Sequence, residues 1–195
     1  MSLEIRNLTK KFGEKIIFSN FSFSFPDKGI FALVGDSGIG KTTLLRMISG
    51  LDTDFNGEIT GGGLERTSFA FQEYRLFPYL SLLDNLVFAV SDDKDGKTLN
   101  EAAEILFSLG LSRRDINKFP KETSGGMKQR ASIGRSLMKE CPILLLDEPT
   151  KELDSENVEL VLDAIQKEAQ KRLVIVVTHR IEDIQRLCAK IIEIK

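Results

Sequence analysis

One stretch of the sequence constrains the fold more than any other: a glycine-rich loop between an apolar run and a helical pattern. It reads Gly35-Asp36-Ser37-Gly38-Ile39-Gly40-Lys41-Thr42 and fits G-x-x-x-x-G-K-S/T, the phosphate-binding loop. Residues 30–34 are apolar and predict a buried strand, while residues 43–48, beginning with Thr43, follow a helical spacing. A chance match in a chain this long has odds on the order of one in a hundred. The stretch therefore predicts a nucleotide site between a strand and a helix.

The residue types in this loop suit phosphate binding. Gly35, Gly38 and Gly40 let the backbone turn with its N–H groups pointing inward, and the positive end of the next helix faces the same point. The Lys41 amine can reach the β- and γ-phosphates of a nucleotide, and the Thr42 hydroxyl can ligate Mg²⁺. The alternative, a glycine-rich turn that precedes a lysine by chance, leaves the flanking strand and helix unexplained.

Composition excludes several classes of protein. The chain has 195 residues, 42% of them hydrophobic and 29% charged, as expected for one globular domain with a subdomain inserted. Its net charge is -2 and it has no long basic block, so we expect no nucleic-acid partner. One histidine and two cysteines at unrelated spacing argue against a zinc site. No apolar run approaches the length of a membrane span, so contact with a membrane would need a partner protein.

The N-terminal part predicts antiparallel β-structure. Alternating apolar residues indicate a strand over residues 3–8, a turn over 10–15, a short strand over 16–18 and a separate half-buried strand over 21–25. Phe12 lies in the predicted turn. It either packs in the core, as aromatic rings most often do, or stacks on a nucleobase.

The middle of the chain changes character. Residues 56–63 indicate a turn-rich, hairpin-like connection, and residues 69–71 a short strand that ends at Gln72. Residues 74–137 show helical patterns, with apolar faces at 82–90 and 99–109 separated by a solvated loop at 92–97. Ser124-Gly125-Gly126 then precedes a helix, with Ser124 as its N-cap. Glycines directly before a helix indicate either a flexible loop or a binding site for an anion.

Two buried strands in the C-terminal part end in polar residues. Residues 143–146 lead into Asp147 and Glu148, and residues 173–177 lead into His179. Near a phosphate loop, one carboxylate can hold Mg²⁺ and the next can polarise a water, while His179 can contact a γ-phosphate. The alternative is that Asp147, Glu148 and His179 have no role in a site and are polar only because the buried strands reach the solvent there.

Taken in this order, the motifs resemble those of the ATP-binding subunit of an ABC transporter, over essentially the whole chain. Residues 35–42 match its Walker A motif, Gln72 its Q-loop glutamine, and residues 143–148 its Walker B motif. Residues 123–127 resemble the signature usually written LSGGQ, residues 151–154 occupy the D-loop, and His179 is the switch histidine. Phe12 stands where the family often has a base-stacking aromatic residue.

The resemblance implies an α/β fold: a P-loop NTPase core with a mainly parallel sheet, an N-terminal antiparallel β subdomain and an inserted α-helical subdomain. We expect residues 1–195 to form a single domain. Residues 1–72 and 138–195 would make the catalytic core, and residues 73–137 the helical subdomain that carries the signature. No regulatory C-terminal domain is expected.

The resemblance also implies hydrolysis of MgATP to ADP and phosphate. The nucleotide would be bound by Phe12, the loop from Gly35 to Thr43 and Gln72. Lys41, Glu148 and His179 would be catalytic, with Glu148 activating the attacking water. Mg²⁺ would be held by Thr42, Gln72 and Asp147. Ser124, Gly125 and Gly126 would act on the ATP of a second copy of the chain, giving a homodimer with two sites.

Two departures from the family pattern stand out. Thr123 and Met127 replace the leucine and glutamine of the signature, and the D-loop begins Lys151-Glu152 rather than with small residues.

Three rival classes are a soluble ABC ATPase acting on DNA or ribosomes, a metabolite kinase and an ATP-binding protein without hydrolysis. A soluble ABC ATPase of the DNA-repair or ribosomal type would need a coiled-coil insertion or a second cassette, and this sequence shows neither. A metabolite kinase would leave the signature unexplained. Glu148 argues against ATP binding without hydrolysis.

Residues 73–86 resemble the same region of bacterial importers of the nitrate, sulfonate and taurine type. That resemblance implies a peripheral subunit on the cytoplasmic face of the inner membrane. Its partners would be membrane permease subunits, a second copy of itself and an extracytoplasmic solute-binding protein. The ATPase subunit of an ABC exporter is the alternative.

Overall fold

The computed structural model describes residues 2–91 and 95–194. Its strands are β1 (Glu4–Phe12), β2 (Lys15–Ser24), β3 (Gly29–Val34), β4 (Asn56–Thr60), β5 (Thr67–Ala70), β6 (Ile143–Asp147), β7 (Leu173–Val177) and β8 (Lys190–Glu193). Its α-helices are α1 (Lys41–Ile48), α2 (Leu82–Val87), α3 (Gly96–Ser108), α4 (Gly125–Met138), α5 (Ser155–Ala169) and α6 (Ile181–Leu187). Within these residues, no helix is long and apolar enough to cross a membrane.

A five-stranded parallel sheet in the order β5-β6-β7-β3-β8 forms the centre of the fold. Every residue of β6 and β7 is buried, as continuous apolar strands covered on both faces should be. Because β3, β6 and β7 are neighbours and run parallel, their carboxyl ends meet at one edge of the sheet. The predicted parallel sheet of the P-loop core is therefore confirmed.

A second, antiparallel sheet has the order β2-β1-β4. The prediction of separate strands at 16–18 and 21–25 was wrong, because residues 15–24 form the single strand β2, which ends one residue before Phe25. An extra residue at Asn20, with φ 55°, shifts the register of β2 against β1 and breaks the alternation of apolar residues. The predicted turn at 10–15 shrinks to Gly13 and Glu14, because β1 extends to Phe12.

The interpretation of residues 56–63 as a connection was also partly wrong. Residues 56–60 form β4, which pairs with β1 through Glu4 opposite Thr60 and Ile5 opposite Ile59. A short strand that contains a glycine carries little local signal, and only its pairing with a distant segment defines it.

Helices α2, α3 and α4 pack together and share one hydrophobic core with β6, β7 and α5. The predicted loop at 92–97 needs a correction: Gly96 and Lys97 belong to α3, whose first turn is capped by the Asp95 side chain. Residues 92–94 lie outside the described residues. Because the helices share their core with the sheet, the division at residues 73 and 138 stays a prediction.

Candidate active site

The glycine-rich loop joins β3 to α1, as its sequence predicts. Two of its glycines are required by close packing. A Cβ atom on Gly40 would lie 2.3 Å from Cγ2 of Ile17, and one on Gly35 would lie 2.6 Å from the carbonyl oxygen of Ile194. Both glycines also have φ values, 114° and 148°, that other residues rarely adopt. The loop therefore lies tightly against its surroundings while its other face stays open.

Lys41 is the first residue of α1, and its amine folds back over the loop. The Nζ atom donates to the carbonyl oxygens of Gly35 at 2.8 Å and Asp36 at 2.9 Å. Ile39 of the same loop packs against the hydrophobic core. The loop thus places an ammonium group at its mouth, next to the N-terminus of a helix, and both favour a bound anion.

Asp147 lies at the end of β6, beside the helix that follows the loop. Its carboxylate accepts a hydrogen bond of 2.7 Å from the Thr42 hydroxyl and is only 2% exposed. Burial raises its pKa, while the Thr42 hydroxyl and the charge of Lys41 lower it. A buried carboxylate beside a hydroxyl is a pair of oxygen ligands suited to a hard cation such as Mg²⁺. Since the described residues hold no group of three or more metal-ligating side chains, a cation here would need further oxygens from a nucleotide or water.

Glu148 follows Asp147 with its backbone in the left-handed region, at φ 52°. Non-glycine residues adopt this conformation at a cost of order 1 kcal/mol, so the surroundings must hold it. The N–H of Glu148 donates to the carbonyl of Val177 at 2.8 Å. Its own carbonyl accepts from the Lys151 N–H and from the Gln129 side chain, each at 3.3 Å. These bonds hold the backbone of Glu148 in its left-handed conformation.

His179, after β7, faces Glu148 across the sheet edge. Its Nε2 atom lies 3.3 Å from Oε1 of Glu148. Burial raises the pKa of Glu148, and the charge of His179 lowers it. A carboxyl group with a raised pKa beside a histidine is suited to accept a proton from water.

These side chains open into one cleft of about 710 Å³, here called the phosphate-loop cleft. Phe12 lies at its wall with 54% of its surface exposed, so of its two interpretations the structure excludes core packing. Gly35, Asp36 and Ile39 form the loop without lining the cleft. The lining residues are Phe12, Lys15, Ile17, Ser37, Gly38, Gly40, Lys41, Thr42, Thr43, Gln72, Asp147, Glu148, Lys151, Val177, His179 and Arg180.

Sequence reasoning missed four polar residues around the cleft. Lys15, Lys151 and Arg180 line it, and Gln129 holds the Glu148 backbone from helix α4. Arg180 is adjacent to His179 and Lys151 lies in the D-loop, so proximity in sequence could have indicated both. Nothing in the local pattern around Lys15 or Gln129 distinguishes either from a surface residue.

Ser124, Gly125 and Gly126 lie outside the cleft lining. Ser124 is the N-cap of α4 as predicted, with its hydroxyl accepting from the Met127 N–H at 3.3 Å. A Cβ atom on Gly125 would lie 2.6 Å from a carboxylate oxygen of Glu152, which accepts a hydrogen bond from the Tyr74 hydroxyl. Burial and this carboxylate raise the pKa of Tyr74 to about 12. One chain therefore brings the loop, both carboxylates and His179 together but leaves the signature elsewhere.

Comparison with known proteins assigns this arrangement to a family. The family profile described as ABC transporter matches residues 18–151. An aliphatic sulfonates import ATP-binding protein of Rhodococcus jostii is 34% identical over 98% of this chain and 78% of its own length. The L-cystine transport system ATP-binding protein of Escherichia coli is 32% identical over 91% of this chain and 80% of its own length.

Solved structures agree with the sequence comparison. The ATP-binding cassette MJ0796, as a dimer in a post-hydrolysis state bound to ADP and Pi, superimposes with a TM-score of 0.85 at 30% identity. The match covers 99% of this chain and 94% of that one. The chain belongs to the ABC transporter family, as an ATP-binding and ATP-hydrolysing cassette.

Proposed function

We propose that this chain is the ATPase subunit of an importer for a small, anionic organic solute. The observation that carries the ATPase part is the convergence of the phosphate loop, Asp147, Glu148 and His179 in one cleft. Support for import comes from relatives named as import proteins for aliphatic sulfonates. The complete system would contain two copies of this chain, permease subunits and an extracytoplasmic solute-binding protein, with this chain on the cytoplasmic face of the inner membrane.

In the proposed reaction, the loop N–H groups and Lys41 bind the β- and γ-phosphates. Thr42, Asp147 and Gln72 would hold Mg²⁺, which when bound would supply positive charge to neutralise the phosphate oxygens. Glu148 takes a proton from the attacking water. His179 would fix the Glu148 carboxylate, 3.3 Å away, and contact the γ-phosphate.

Phe12 is proposed to stack on the base of the nucleotide. Phe12→Ala should raise the KM for ATP about tenfold with little change in kcat, because base stacking on an aromatic ring is worth about 1–3 kcal/mol. Phe12→Tyr, which keeps the ring, is the matched control and should behave like the parent. Steady-state phosphate release over a range of ATP concentrations measures both constants. An unchanged KM in the alanine variant would remove Phe12 from the site.

The proposed permease contact is an aromatic patch formed by Phe77, Tyr79 and Phe88, directly after the Q-loop and along α2. Tyr79 is 89% exposed, and the rings of Phe77 and Phe88 meet edge to face with centroids 5.0 Å apart. Exposed aromatic side chains near the two ends of a helix suit the burial of a short amphipathic helix from a partner.

Tyr79→Glu should release the chain from its permease while its own ATPase activity stays intact, since Tyr79 does not line the phosphate-loop cleft. Ile191→Glu is the matched control, because Ile191 is also exposed but lies on β8. Pull-down with the permease encoded in the same operon measures the effect, and a tenfold loss of capture is expected for about 1.4 kcal/mol. Equal capture of both variants would contradict the proposed contact. An operon without a solute-binding protein would contradict import.

A further inference from the structure

A buried polar cluster includes residues close to both Glu148 and His179 in the chain. Its members are Thr150, Thr178 and Asp183, with exposed fractions of 0%, 1% and 1%, here called the Thr–Asp cluster. None of them lines the phosphate-loop cleft. The nucleotide therefore has no direct access to this cluster.

One carboxylate oxygen joins two loops within the cluster. Oδ2 of Asp183 accepts a hydrogen bond from the Thr150 hydroxyl and a longer one, of 3.4 Å, from the Thr178 hydroxyl. Thr178 in turn accepts from the Arg180 N–H at 3.1 Å, which directs its own proton toward Asp183. Asp183, in the first turn of α6, thus ties the loop after β6 to the loop after β7.

The two loops carry the residues proposed to act on water. Thr150 lies two residues after Glu148, and Thr178 directly precedes His179. The 3.3 Å contact between Glu148 and His179 therefore depends on how these loops are placed relative to each other. A displacement of about 1 Å in such a pair can cost a hundredfold in rate.

The buried carboxylate of Asp183 is not explained by its contribution to the stability of the fold. The second oxygen of Asp183, Oδ1, is buried and makes no hydrogen bond within the described residues, and its nearest charge is Nε of Arg180 at 3.5 Å. Burying a partly satisfied carboxylate destabilises the fold in a way that a well-packed apolar side chain would not. This cost points to a geometric role.

We propose that Asp183 is a positioning residue for ATP hydrolysis. Its carboxylate holds Thr150 and Thr178 and thereby keeps Glu148 and His179 in reacting geometry. The proposal rests on the proposed roles of Glu148 and His179.

The test is the kinetics of Asp183→Asn, which keeps the side-chain shape and removes the charge. The kcat should fall about tenfold or more, while the affinity for ATP stays within about twofold because the phosphate loop is untouched. Glu182→Gln is the matched control: it removes the same charge from the neighbouring exposed position and should leave kcat unchanged. A parent-like kcat in Asp183→Asn would overturn the proposal. So would an equal loss of kcat in the Glu182 control.

Thr150→Val and Thr150→Ser provide a second test that does not depend on the folding of the Asp183 variant. Valine removes the hydroxyl at nearly constant volume and should lower kcat, whereas serine keeps the hydroxyl and should restore it. Thermal unfolding confirms that each variant is folded. Equal kcat values in the valine and serine variants would contradict a role of the hydroxyl–carboxylate bond.

A double-mutant cycle separates positioning from an independent effect. If Asp183 acts through Glu148, adding Asp183→Asn to Glu148→Gln should slow single-turnover hydrolysis by less than about twofold further. Multiplied effects would overturn the proposal. The proposed function itself fails if Glu148→Gln alone keeps the parent turnover. If Glu148→Gln is impaired and Asp183→Asn is normal, only this inference fails.

Discussion

Glu148→Gln should slow ATP hydrolysis by about a hundredfold or more and leave ATP binding nearly unchanged, since an amide cannot serve as the general base. Glutamine has the same shape as glutamate, so the substitution should preserve the backbone bonds to Val177 and Gln129 that hold this residue. The loss should therefore appear in kcat alone. Phosphate release measures turnover, and equilibrium binding of labelled ATP measures affinity.

The control for this variant is Glu156→Gln, which removes the same charge from the first turn of α5. That variant should hydrolyse ATP at the parent rate, because Glu156 does not line the phosphate-loop cleft. If Glu148→Gln turns over ATP as fast as Glu156→Gln, Glu148 is not the base.

Gly125→Asp should lower the rate of steady-state hydrolysis about as much as Glu148→Gln does, although Gly125 does not line the phosphate-loop cleft. The reason is the composite site: the N-terminus of α4 would face the ATP held by a second copy, and an added carboxylate there repels phosphate. The affinity of one chain for ATP should not change, since its own phosphate loop is intact.

Gly125→Ala is the matched control for the aspartate variant. Its Cβ would lie 2.6 Å from a carboxylate oxygen of Glu152 and 3.1 Å from the Tyr74 hydroxyl, and a small movement of these two side-chain ends accommodates it. The alanine variant should therefore keep most of its activity. Equal activities in the alanine and aspartate variants would show that charge at this place is irrelevant and would remove support for the composite site.

The structural features that could be predicted from the sequence depend on residues close together in the chain. The phosphate loop, the Asp147–Glu148 pair and the Ser124 N-cap each depend on neighbouring residues, and a short window of sequence contains the whole signal. The place of His179 at the end of a buried strand was predicted in the same way, whereas its contact with Glu148 is seen only in the folded chain.

The parts that could not be predicted depend on distant contacts. Strand β4 exists because it pairs with β1, and the register of β2 against β1 shifts at three places, one of them at Asn20. Asp183 meets Thr150 across 33 residues, and Gln129 meets Glu148 across 19. Side chains that act through such long-range contacts have no local pattern, because only the folded chain brings their partners to them.

The measurement that tests the central claim most directly is the molar mass of Glu148→Gln protein in solution, by light scattering with and without MgATP. One chain has a mass of 21.9 kDa. We expect this mass without nucleotide and about twice this mass with MgATP, because each signature would then close the cleft of the other copy. Adding Gly125→Asp to the same protein should keep it a monomer in both conditions. A mass that does not change with ATP, or a dimer equally populated in both proteins, would contradict an ATPase site shared between two copies of this chain.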